Sequence, residues 1–141
     1  MNKTDSMIEA EIWTISEKED GNSVALSIKD PELIVPLFLD DGEIKMVLRA
    51  MEGIRSTRPQ TQDLLMNFIR ESGFEVIRMD LYGVKDNLVQ ARLVFAGGGR
   101  SEALILDAQP SDALALAIRT QCRIYVSRKV ADTLGIRKDF L

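Results

Sequence analysis

The chain has 141 residues, 45% of them hydrophobic and 28% charged, the balance of an ordinary globular protein with one cored domain. Its formal net charge of −4 gives no overall basic field for non-specific nucleic-acid binding, although a local basic patch stays compatible with it. With no histidine and a single cysteine, Ser–His and Cys–His catalytic pairs, imidazole metal ligands and an internal disulfide are all excluded.

In chain order, Met7 to Ile15 reads as a first strand, with Ile8, Ala10 and Ile12 alternating with Glu9 and Glu11. Glu19-Asp20-Gly21-Asn22 is turn chemistry, and Val24, Leu26 and Ile28 alternate in the returning strand of a hairpin. Asp30-Pro31 closes it. Leu33 to Leu39 reads as a third strand, apolar enough for burial on both faces, while Pro36 argues for an edge or a bulge. Asp40 and Glu43 have capping-box spacing at the start of a helix carrying Ile44, Val47, Leu48 and Met51, with Gly53 at its C-cap. After the polar connector Ser56-Thr57-Arg58-Pro59, Thr61 to Ser72 predicts a second helix with Leu64, Leu65, Phe68 and Ile69 inward and Gly73 as its stop.

Phe74 to Tyr82 is then a strand, Asp86-Asn87 a turn, and Val89, Ala91, Leu93 and Phe95 alternate in the next strand. Gly97-Gly98-Gly99 reads as a flexible hairpin tip before the strand Ala103 to Asp107. Pro110 opens an almost wholly apolar helix, Ala113 to Ile118, which must be buried on more than one side. Ser111 and Asp112 suit its free first-turn N–H groups. A short strand, Arg123 to Ser127, a short helix ended by Gly135 and a basic, then apolar, tail complete the chain. The mixture predicts an α+β fold: a single domain, residues 1–141 with its core at about 7–130, a mainly antiparallel mixed sheet and helices packed on it. No apolar run approaches the ~20 residues that span a bilayer. The first residues lack the apolar core of a signal peptide, so a cytoplasmic, membrane-free protein is expected.

Two segments share a local grammar. Pro59, Thr61 and Asp63 on one side, and Pro110, Ser111 and Asp112 on the other, each set a proline, a hydroxyl and an aspartate at the entry to an apolar helix. If the two helix starts converge, Asp63 and Asp112, with Asp107 or Glu43, offer hard oxygen ligands for a divalent ion such as Mg²⁺ or Mn²⁺. Such an ion supports phosphodiester hydrolysis. The plainer reading is that these carboxylates cap helices or sit against their dipoles. Gly97-Gly98-Gly99-Arg100 lacks the ending of a phosphate loop and suits a hairpin. Cys122 suits a small core residue more than a reactive thiol. Trp13 and Tyr82 suit packing more than base stacking. Arg119, Arg123, Arg128, Lys129, Arg137 and Lys138 form either a phosphate-facing run or a solvated C-terminal face.

Pro36-Leu37-Phe38-Leu39, Glu43, Ala50-Met51-Glu52-Gly53, the run Arg58-Pro59-Gln60-Thr61-Gln62-Asp63-Leu64-Leu65 and the run from Asp107 to Arg119 together resemble the bifunctional nuclease family. The resemblance covers roughly Met7 to Val130. It implies a compact α+β domain that self-associates, as a dimer, and cleavage of RNA and DNA with a divalent metal, Mg²⁺ or Mn²⁺. On that pattern Asp63, Asp107 and Asp112 would hold the ion, with Glu43 as auxiliary base or ligand. Arg58 and Arg119, with Thr61 and Ser111, would bind phosphate. The family pattern generally has His where this chain has Gln62 and Arg where it has Gln109. Glutamine is neither an acid–base group near neutral pH nor a guanidinium fork. Two functions therefore follow from the resemblance: a metal-dependent nuclease, weakened or inactive, or a non-catalytic homo-oligomeric module that has lost the activity.

Overall fold

The computed structural model describes residues 6–53 and 58–140. Its first three strands, β1 (Met7–Lys18), β2 (Gly21–Lys29) and β3 (Glu32–Leu39), form an antiparallel meander. Helices α1 (Asp41–Glu52) and α2 (Thr61–Glu71) follow. A second antiparallel meander is built from β4 (Phe74–Lys85), β5 (Leu88–Gly97) and β6 (Leu104–Ala108). Then come α3 (Pro110–Thr120), β7 (Arg123–Ser127), α4 (Arg128–Leu134) and a single 3-10 turn, Lys138–Phe140. Among the described residues the strands form one seven-stranded sheet in the order β3-β2-β1-β7-β4-β5-β6. Only the β4–β7 pair is parallel. The two meanders meet only through β7, which lies antiparallel to the first half of β1 and parallel to β4.

Period-two alternation is visible across the sheet as two neighbouring rows. One row, Ala10, Ile124, Met79, Leu93 and Leu106, faces the helices and is buried except at the edge residue Leu106. The next row, Glu9, Tyr125, Asp80, Arg92 and Asp107, faces the other way. Helix α3 lies over β4 and β5 and under α1, so Ser111 and Ala113 to Ala117 are all buried, as its unbroken apolar run requires.

Local signals formed as their chemistry dictates. Asp40 accepts from the Glu43 N–H and Glu43 accepts from the Asp40 N–H, a complete capping box. Gly53 ends α1 at φ 68°. Asp86 and Asn87, at φ 53° and 63°, make the tight turn between β4 and β5 that matches strand twist. The glycine run is less a loose tip than a close approach: the Gly98 N–H donates to the Gly73 carbonyl at 3.0 Å, and a Cβ on Gly98 would strike the Phe74 ring.

Two expectations fail. The inward face of α2 is Gln62, Met66 and Ile69, whereas Leu64 and Phe68 are each 67% exposed and Leu65 also faces solvent. A polar pair at the helix start sets the rotation, because Gln62 and Asp63 bond to α3. The third strand is not buried on both faces. It is a sheet edge, as Pro36 argues, and Phe38 is 81% exposed.

Candidate functional site: a three-helix junction and its cleft

The N-termini of α1, α2 and α3 are tied by one string of side chains. Ser111, buried in the first turn of α3, donates its hydroxyl proton to Glu43 Oε2 of α1 at 2.7 Å. Its neighbour Asp112 accepts from Gln62 Nε2 of α2 at 3.1 Å. Next along α2, Asp63 accepts from the Gln60 N–H at 2.8 Å and from Arg119 Nη2 of α3 at 2.9 Å. The shared proline–hydroxyl–aspartate grammar does bring the two helix starts together. It does so through Gln62 and Asp112, whereas Asp63 reaches Arg119 in the last turn of α3.

This arrangement decides the charge of Asp63. The backbone N–H of Gln60, then the Arg119 guanidinium, hold its carboxyl below the usual carboxylate range. Asp63 is therefore an anion throughout the neutral range. It is suited to fixing a cation or accepting hydrogen bonds, not to donating a proton.

Beside the junction lies an open cleft of about 600 Å³ between the C-terminal half of α1, α2 and the C-terminal half of α3. Arg49, Arg70 and Arg119 stand around it, Met46 and Met66 contribute apolar wall, and Gln62 and Asp63 reach it from the junction. Asn67 orients Arg70, accepting from its Nη2 at 2.6 Å. Gln62 Oε1 is buried with no hydrogen-bond partner among the described residues, so the cleft wall keeps an unused acceptor. Three guanidinium groups line the concavity together with the Glu52 and Asp63 carboxylates, Asp63 pairing with Arg119, so the cleft carries a small local excess of positive charge in an otherwise acidic chain.

The remaining predicted site residues sort by geometry. Arg58 and Thr61 are exposed at the entry to α2, next to the cleft residues Pro59 and Gln60. Ser111 is buried with its proton committed to Glu43, which corrects its assignment to phosphate. Asp107 is also misplaced. It lies on the opposite side of the sheet from its neighbours Leu106 and Ala108, and its Oδ1 accepts from the Tyr82 hydroxyl at 3.0 Å. Strand alternation therefore separates Asp107 from Asp63 and Asp112. Among the described residues no three Asp, Glu or Cys side chains stand close enough to hold an ion. The oxygens of Asp63 and Glu43 are occupied by internal donors. The carboxylates present do not fit a Mg²⁺ or Mn²⁺ cage.

Two cleft residues, Arg49 and Arg70, carry no motif. Each sits in the last turn of its helix, where a basic residue is ordinary dipole chemistry, and only packing brings them together. The C-terminal basic run is scattered: Arg119 lines the cleft, Arg123 reaches Glu9, Arg137 meets Asp139 and Lys138 meets Glu32. Lys138 also stands over the Trp13 ring, and Arg92 over the Tyr82 ring. Cys122 is half-buried, and burial pushes its thiol up, so it is a packing residue.

The open sheet face holds a second network without any sequence signal. Asp80 is 0% exposed beneath Arg78 at 3.1 Å and Arg92 at 2.9 Å. The Arg92 contact is a hydrogen bond. Arg78 Nε and Asp80 Oδ1 are close but misaligned for one. Arg78 also lies over the Tyr125 ring.

Comparison with known proteins places this geometry. The chain is 26% identical over 128 residues to Bifunctional nuclease 1 of Oryza sativa subsp. indica, covering 89% of this chain and 39% of the rice protein. It is 24% identical over 117 residues to Bifunctional nuclease 1 of Arabidopsis thaliana, covering 82% and 36%. An uncharacterized protein of Mycobacterium tuberculosis is 23% identical over 132 residues, covering 92% of this chain and 77% of that one. The chain thus spans about two fifths of the plant relatives' length. A model of the bifunctional nuclease domain matches residues 24–139, which takes in the junction, the cleft and β7, and the chain belongs to the bifunctional nuclease domain family.

Proposed function

We propose that the cleft between α1, α2 and α3 binds the phosphodiester backbone of RNA or DNA and that the chain hydrolyses it as a nuclease. The observation that carries this reading is the gathering of Arg49, Arg70 and Arg119 around one concavity in a chain of nuclease-domain lineage. Arg119 neutralises charge building on the phosphoryl oxygens, and Asp63, an anion through the neutral range, holds that guanidinium in place. Gln62, Asn67 and Gln121 supply neutral amides along the wall. Arg58 and Thr61 extend the contact along the strand. No step is assigned to a metal ion, since the carboxylates present do not form its cage.

A second reading, binding without cleavage, is favoured by one observation. The junction carboxylates are engaged by internal donors, and Gln62, bonded to Asp112, has no proton to exchange near neutral pH.

The test is cleavage of single- and double-stranded RNA and DNA by highly purified protein, with Mg²⁺, Mn²⁺ or chelator present. Arg119→Ala should lower the rate about 100-fold, the scale for removing one transition-state charge partner. Asp107→Asn, on the opposite sheet face, should leave it unchanged. Equal rates in Arg119→Ala and the parent would remove the cleft from the mechanism. Retained binding with no cleavage under any condition would establish the second reading.

A further inference from the structure

A second cavity, of about 340 Å³, opens beside the arginine cleft, and the two share Met51, Ile118 and Gln121 as a common wall. It lies against the C-terminus of α3, where the β1–β7 ladder ends at Ala10 and Ile124. Its size is at the small end of the range for ligand sites. Its lining is of another kind from the cleft's. Ile12, Met51, Ala117, Ile118 and Cys122 make it mainly apolar. Its charged residues are Glu9, Glu11 and Arg123, two carboxylates against one guanidinium, and Arg123 is already 4.0 Å from Glu9. A phosphate gains nothing there. A flat, uncharged ring does, by burial and by contact with the Met51 thioether, since sulfur is a favourable neighbour for aromatic rings.

Gln121 stands at the boundary of the two spaces. It is the C-cap of α3 at φ 58° and ψ 33°, the left-handed conformation that helix ends usually give to glycine. The chain thus keeps a long side chain where the backbone favours none. The residue is exposed, lines both cavities and makes no side-chain hydrogen bond among the described residues. A glutamine amide offers a donor and an acceptor side by side, the pair that matches the amino group and ring nitrogen of adenine.

We propose that this recess is a base subsite. It takes one unstacked nucleobase, adenine before thymine, from a strand whose phosphate lies in the arginine cleft, and Gln121 reads the edge of that base. The assignment rests on the cleft being a phosphodiester site and adds a specificity to it. A base enters the recess only after leaving its stack, so the strand read in this way is single.

Fluorescence anisotropy on the full chain, with chelator present, tests this. Three labelled strands of equal length are abasic except at one central position, which carries adenine, thymine or no base. The adenine strand should bind about tenfold tighter than the thymine strand, and both tighter than the fully abasic one. Arg119→Ala should weaken all three alike. Gln121→Gly should bring the adenine and thymine strands to equal affinity. Because glycine suits φ 58°, that variant should unfold no earlier than the parent. Cys122, the only cysteine of the chain, gives a second readout. Its labelling by a maleimide should slow with the adenine strand and not with the abasic one. Equal affinity for the three strands, an adenine preference that survives in Gln121→Gly, or unchanged labelling of Cys122 would overturn the base subsite and leave the arginine cleft standing. No binding of any strand would overturn both.

Discussion

The two sides of the sheet use the same chemistry to different ends. On the open face, Asp80 is sealed beneath Arg78 and Arg92, with Tyr82 and Tyr125 flanking, and none of the three charged residues lines the arginine cleft. On the helical side, Asp63, Asp112 and Glu43 are each met by a donor from another residue, yet the junction stays partly wet and opens onto the arginine-lined cleft. An acid–arginine pair is thus no mark of function by itself. What separates the two is whether the paired groups still border a space that a ligand can enter.

The largest expected effect breaks this comparison from the open face. Asp80→Asn removes the charge between two cations and should cost about 2–3 kcal/mol, below the usual range for a broken buried pair because both arginines reach solvent. Urea unfolding measures it. Cleavage by the surviving folded protein should be unchanged, and a loss under 1 kcal/mol would show that the network is incidental. Gln62→His places an imidazole against Asp112 and should raise cleavage about tenfold. The neighbouring carboxylate raises the imidazole pKa, so the gain should appear as pH rises through that value, read as a new inflection in the pH–rate profile. Ser111→Ala leaves Glu43 Oε2 without its donor and should cost about 1 kcal/mol by the same unfolding measurement. The smallest effect is a pH dependence. Because the folded-state carboxyl of Asp63 titrates below its unfolded value, its stabilisation is fully present above the ordinary carboxylate range. It is lost only as pH falls through the depressed folded value. Comparing the unfolding midpoint of the parent and Asp63→Asn from pH 6 down to pH 3 should show the two curves converging only at the acid end.

Elements defined by local chemistry were legible in the sequence. The Asp40–Glu43 box, the Gly53 cap, the Asp86-Asn87 turn and the apolar α3 run each carry their own physical cause within a few residues. The junction was half legible: the repeated grammar pointed to Asp63 and Asp112 converging, but not to Gln62 and Ser111 being spent on the ties. Asp107 was misread because adjacency along a strand is not adjacency in space. The rotation of α2 was misread because its three exposed apolar residues outnumber its inward ones, and the polar bonds to α3 decided the face. Arg49, Arg70 and Asp80 left no trace, since each acquires its meaning only from partners far along the chain.

The place of β7 has a consequence in time. Every other strand pair joins neighbours within one meander, and these local hairpins can form as soon as their residues exist. The union of β1 with β4 waits for Arg123 to Ser127 to slot between them, so two half-sheets precede one whole sheet. Closing that long loop is entropically slow. During synthesis, the edges of β1 and β4 that β7 joins stay unpaired until β7 has left the ribosome, an interval in which open strand edges are exposed to aggregation.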